Sequence, residues 1–147
     1  MPRPGADEDI HGSLHTSIRL PTNVPPKIIV EPVLKPHTVF RVTFATSRHD
    51  REALLRSLTS NRELRRKPRK VELVYGILHF AISTWTSEEA ARANARTWPQ
   101  NGDHIMRLEL APGLGFCVDR PRDGSTHRTL WAPTGRILQC VAELKSA

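Results

Sequence analysis

The stretch FAISTWTSEEAARANARTWP, Phe80 to Pro99, governs how the whole chain is read. Its apolar start runs into four hydroxyl side chains, Ser83, Thr84, Thr86 and Ser87, placed around Trp85. An alanine-rich segment with two acids at its head follows, and Pro99 closes it. A strand that leads into a capped helix gives this pattern. Thr86 and Glu89 have capping-box spacing, and Glu88 and Glu89 suit the positive end of a helix dipole. Ala91, Ala95 and Trp98 fall at i, i+4 and i+7, which predicts a small, buried helix face that ends at Trp98. Upstream, VELVYGILHFAISTW is apolar for longer than one exposed strand needs. Either a short helix precedes a strand or one buried strand breaks near Gly76; the strand is placed over roughly 77–85.

Outward from this segment the alternation is clear. TVFRVTFA (38–45) sets Val39, Arg41 and Thr43 against Phe40, Val42 and Phe44, a β-branched and aromatic strand. SRHDREALLRSL predicts a helix of about three turns, with Ser47 as cap, Asp50 three residues on, and Ala53, Leu54 and Leu58 as its apolar stripe. HIMRLELAP puts Met106, Leu108 and Leu110 inward and Arg107 and Glu109 outward. PGLGFCVDRPRDGS reads as a turn, a short strand and a turn at Asp123-Gly124. ILQCVAEL (137–144) reads as a closing strand, although Ile137, Val141 and Leu144 also suit a helix. The sum is an α+β domain at about 38–147 with a mainly antiparallel sheet of about four to six strands and two principal helices.

Residues 1–37 differ in kind. Seven of the twelve prolines precede His37, a density that breaks helices and central strands and leaves an extended or disordered arm. KIIVEPVL, within this arm, is apolar enough to add an edge strand or to dock on a partner. Arm charges cancel, so the net +7 of the chain and its pI near 10.2 belong to the domain. Most of that charge is local. In RELRRKPRK (62–70), Arg62, Arg65, Arg66, Lys67, Arg69 and Lys70 stand against Glu63 alone, a balance of +5. An exposed loop of this kind neutralises phosphates and binds nucleic acid with a steep salt dependence. No aromatic residue is interleaved in the run, which weakens a single-strand stacking platform.

Other chemistry is ruled down. No apolar run approaches the roughly 20 residues of a membrane span, and the start carries no Sec-type apolar region. Cys117 and Cys140 form no C-x-x-C pair and read as reduced, buried thiols, which points to a cytoplasmic protein. The histidines have no ligand-like spacing with the cysteines, so no metal site is nominated. No nucleophile elbow, Walker loop or dinucleotide fingerprint occurs. The abundance of Arg, Ala and Pro suggests a GC-rich bacterial or phage genome.

A strand with an inward Arg (TVFRVTFA), a strand running into a Ser/Thr cluster and helix (FAISTWTSEEAARANA) and an alternating strand (HIMRLEL) together resemble the ADP-ribosyltransferase-like fold, in particular its small bacterial members. The resemblance covers roughly residues 39–144. It implies an NAD-binding or NAD-cleaving protein, with NAD as substrate. Arg41 would contact the dinucleotide, and Ser83 and Thr84 would shape the nicotinamide pocket. Glu143, or Gln139, would hold the ribose 2′-hydroxyl while nicotinamide departs through an oxocarbenium-like transition state. The chain departs from the family pattern at Trp85, which stands where a second Ser is expected, and in the four-residue separation of Gln139 and Glu143.

Two other readings compete with the enzyme. One is a non-enzymatic nucleic-acid-binding module using the 62–70 loop, with Arg120, Arg122 and Arg128 in support. The other is a partner-binding protein of antitoxin or assembly-factor type, whose Pro-rich arm wraps a protein.

Overall fold

Alternation of apolar and polar residues along His104–Leu110 makes it a central strand with two different faces. In the computed structural model of the chain, which describes residues 21, 23–60, 64, 67–69, 78 and 80–147, this strand is β4 of a seven-stranded antiparallel sheet. The other strands are β1 (Ile28–Pro32), β2 (His37–Thr43), β3 (Ile82–Trp85), β5 (Cys117–Pro121), β6 (His127–Trp131) and β7 (Val141–Ser146). Their order across the sheet is β1-β5-β6-β3-β2-β4-β7. Helix α1 (Arg51–Leu58), helix α2 (Glu88–Thr97) and the short α3 (Thr134–Leu138) complete the α+β fold.

Seven strands exceed the four to six expected. One of the additions is β1, drawn from the Pro-rich arm: Ile28, Ile29 and Val30 pair antiparallel with β5 from Pro121 to Asp119. It is an edge strand, where Pro32 costs no ladder bond. The closing segment holds both of its alternatives in succession. Thr134–Leu138 is helical with Ile137 buried, and the strand begins only at Val141. Of the apolar run before Ser83, the strand occupies Ile82 onward, while Leu78 and Phe80 lie in 3₁₀ turn geometry. Residues 71–77 and 79 of that run, including 77 and 79 of the expected strand, fall outside the described residues.

The two sheet faces are covered differently. On one face α1 and α3 pack Leu54, Leu58 and Ile137 onto Val39, Met106, Leu108, Leu110, Val118 and Leu130, forming the main core. On the other, α2 lies over β2 and β4 and touches β3: Ala91 and Ala95 meet Val42 and Ile105, with Phe40 and Trp85 alongside. Small residues on α2 let its backbone lie close to the sheet, as the sequence pattern predicts. Further along this face, Leu78, Cys117 and Trp131 form a third cluster with Ile28, Val30 and Ala81. Next to these clusters, on the same face, stand Ser83 of β3 and His127 and Thr129 of β6.

Candidate functional site: a tryptophan-walled cleft

β2 and β3 pair at one position only, Phe40 with Trp85. Beyond it the strands part, and the seam is filled by a side chain. Arg41 donates from Nε to the Ser57 carbonyl of α1 at 2.7 Å and from Nη1 to the Ser83 carbonyl of β3 at 2.6 Å. One guanidinium thus satisfies a backbone acceptor on each side of the opening, as its fixed fork of donors allows. A cleft of about 500 Å³ opens at this seam. From the strands it is lined by Arg41, Val42, Ile82, Ser83, Trp85 and His127. Asn94, Trp98, Gln100 and Asn101 line it from the end of α2, and Thr59 and Arg69 from the opposite bank. Among the described residues no Asp or Glu lines it.

The α2 bank owes its shape to Pro99. A residue before proline is pushed out of the helical region, and Trp98 has φ −129° and ψ 75°. The helix therefore stops one residue short of the periodicity that would have turned the indole inward. Trp98 is 51 % exposed at the rim rather than buried. A 3₁₀ turn, Pro99–Asn101, carries the two amides, and the Asn101 side-chain amide donates to Asn94 Oδ1 at 3.2 Å. Gly102 then brings the chain back with φ 150°; a Cβ there would lie 2.4 Å from the Thr43 carbonyl oxygen. Only glycine permits this approach.

On the far side, Trp85 and His127 are register partners across β3 and β6. Their rings meet edge to face, centroids 5.4 Å apart at 79°, an arrangement aromatic quadrupoles favour. Burial pushes the His127 imidazole below the ordinary histidine range; Asp119 opposes that shift, and Arg69 and Arg128 add to it. Asp119 is itself buried on β5, accepting the Thr129 N–H at 2.8 Å.

The hydroxyl cluster is chiefly structural. Ser87, not Thr86, is the N-cap of α2 and accepts from Ala90 N at 3.1 Å. Glu88 occupies the first turn and pairs with Arg92 at 2.6 Å and Lys145 at 3.3 Å. In the same way Asp50 caps α1, accepting from Ala53 N at 3.1 Å, while Ser47 only braces the preceding turn through His49 N. Asp50 takes the cap because its carboxylate reaches the third residue on; α1 is consequently two turns long rather than three.

Of the residues nominated for NAD, Arg41 and Ser83 line the cleft. Thr84 points to the face of the sheet opposite Ser83, fully buried, and donates from Oγ1 to the Arg128 carbonyl at 3.0 Å. Glu143 pairs with Arg107 in register while Arg41 pairs with Met106, so the carboxylate and the guanidinium extend from opposite faces. Glu143 lies 3.5 Å from Arg107 Nε and 4.0 Å from Lys145 Nζ. Gln139 is exposed at the C-terminal end of α3, off the strand that carries Glu143. The nominated set does not surround one pocket, and no step through a dinucleotide is derived from it.

Of the basic run, Lys67 and Arg69 are exposed, with Arg69 at the cleft; Arg62, Arg65, Arg66 and Lys70 lie outside the described residues. The supporting arginines serve the fold. Arg120 pairs with Glu31 at 3.3 Å, Arg122 donates to the Pro26 carbonyl at 3.0 Å, and Arg128 donates to the Ser125 and His127 carbonyls. Among the described residues no group of three or more His, Cys, Asp or Glu side chains converges, and no helix is long and apolar enough to cross a membrane. Both cysteines are buried and free, and burial pushes the Cys117 thiol up to about 11. No family model, curated protein or solved structure matches this chain.

Sequence reasoning missed Trp98, Asn94, Gln100, Asn101 and His127 as site residues. The available signal was Trp-Pro at a helix end: a proline there forces the preceding aromatic out of helical geometry.

Proposed function

We propose that the cleft binds a nucleotide unit of single-stranded nucleic acid. The observation that carries this reading is the half-exposed Trp98 on the rim of a cleft whose walls hold Arg41 and Arg69 and, among the described residues, no carboxylate. An indole face takes any base by stacking, worth about 1–3 kcal/mol per base. The Arg69 guanidinium suits phosphate oxygens, and Arg41, whose Nε and Nη1 are held by the Ser57 and Ser83 carbonyls, adds positive charge from the seam. The side-chain amides of Asn94, Gln100 and Asn101 supply the donors and acceptors that a base edge offers in return. The basic run, which contains no aromatic residue, gains its stacking partner in space rather than in sequence. Lys67, exposed two residues before Arg69, adds a further cation for the phosphate chain.

Fluorescence anisotropy with a labelled single-stranded oligonucleotide tests the reading. Binding is expected to be weaker for the duplex of the same sequence, to fall about tenfold between roughly 50 and 200 mM salt if two or three phosphates are neutralised, and to be lost in Arg69→Glu. Equal affinity for duplex and single strand, or binding indifferent to Arg69→Glu, refutes the assignment.

A further inference from the structure

We propose that this cleft cuts single-stranded RNA, with His127 accepting the proton of a ribose 2′-hydroxyl while Arg69 at the rim holds the adjacent phosphodiester and Arg41 adds positive charge from the seam. The inference rests on the binding reading above and adds a reaction to it.

The geometry places one imidazole in a cleft of phosphate-binding character and fixes its orientation. His127 is held by its strand and by Trp85, and neighbouring charges act on it. β6 carries it opposite Trp85, whose ring meets it edge to face at 5.4 Å. Trp85 in turn packs against the apolar cluster beneath α2. The next strand, β5, contributes Asp119, a buried carboxylate fixed by the Thr129 N–H. Arg128 follows His127 in the chain, and Arg69 approaches from the rim. Burial and the two arginines keep the imidazole neutral near pH 7, the form a base requires, and Asp119 favours the imidazolium that forms when it takes a proton. Arg41 and Arg69 stand where negative charge builds on a five-coordinate phosphorus.

The step balances without any further reagent than water. The 2′-oxygen bonds to phosphorus as its proton passes to His127. The bond from phosphorus to the 5′-oxygen of the next nucleotide breaks, and that oxygen takes a proton from water. The products are a 2′,3′-cyclic phosphate and a 5′-hydroxyl end, and His127 returns its proton to solvent. DNA lacks the nucleophile, so it binds and is not cut.

The full chain is incubated with end-labelled single-stranded RNA, the same sequence as DNA, and the same sequence fully 2′-O-methylated. Anisotropy reads binding and gels read cutting. The expected result is that all three bind and only RNA is cut, leaving 2′,3′-cyclic phosphate ends, with or without EDTA. Its rate should rise with pH as His127 deprotonates and then level, and fall about 100-fold or more in His127→Gln, read at saturating protein so that a change in affinity does not enter. RNA bound but left intact overturns the reaction and leaves the binding reading standing; no binding of any strand overturns both. Cutting of the 2′-O-methyl strand, loss of cutting in EDTA, or undiminished cutting by His127→Gln overturns the assigned step. The methylated strand tests that step without any substitution.

Discussion

Trp98 carries most of the functional weight assigned to any one side chain, and little of the fold rests on it. It is half exposed and caps the end of α2, giving the helix only its backbone N–H, which donates to the Asn94 carbonyl at 2.8 Å. Trp98→Ala should therefore weaken oligonucleotide affinity about 5- to 100-fold, the loss of one stacked base, while the urea midpoint barely moves. A collapse of stability in that variant would instead make the indole part of the core. Gly102 behaves in the opposite way. Its Cβ-free backbone rests against Thr43, where an added methyl group would meet three backbone atoms at 2.4–2.7 Å. Gly102→Ala is expected to destabilise by about 2 kcal/mol or more, because neither backbone can yield cheaply, measured by urea denaturation. A change under 0.5 kcal/mol would mean that the turn relaxes freely.

The elements were legible wherever one face is buried and one is wet. β2, β4 and the capped α2 follow directly from alternation and helical spacing, as do the small residues that seat α2 on the sheet. Ser87→Ala should remove the cap bond to Ala90 N and cost about 1 kcal/mol, whereas Thr86→Ala should cost less; the reverse order in thermal melts would restore Thr86 as the cap. What periodicity could not supply was the pairing of strands remote in sequence. The single-pair contact between β2 and β3 is invisible in either strand alone, yet it opens the cleft. Arg41 and Glu143 illustrate the same limit. Each was readable as a strand residue, but which face each one occupies depends on register relative to β4, and one residue of shift exchanges the faces. The bulge in the β4–β7 pairing at Arg107/Leu108 makes that register harder still to infer from spacing. His127 lay outside any motif because its partners, Trp85 and Asp119, come from two neighbouring strands.

For the molecule as a whole, charge and protonation set the response to conditions. His37 and His127 both have folded-state pKa values below the ordinary 6.5, each chiefly through burial. The unfolded chain then binds more protons than the folded one as pH falls through 6.5, so folding stability is greatest above that value and declines towards pH 5. Urea midpoints at pH 7.5 and about pH 5.5 should show this decline, and His37→Asn should reduce it; a midpoint that rises on acidification would contradict the sign. The exposed Glu88 and Glu109 are held below the usual carboxylate range by hydrogen bonds to Arg92 and Thr38 respectively, so their contribution is lost only at lower pH. On the proposed reading, the net charge of +7 attracts a polyanion at long range, and the cleft would supply the short-range contacts that tell a single strand from a duplex. The most direct measurement of that division is photo-crosslinking of a 4-thiouridine oligonucleotide to the full chain, followed by tryptic peptide mapping. Adducts concentrated on the peptide 97–107, which holds Trp98, Gln100 and Asn101, are the predicted result. Adducts confined to the basic run 62–70 or to the β1 and β7 edges, with peptide 97–107 unmodified, would contradict it.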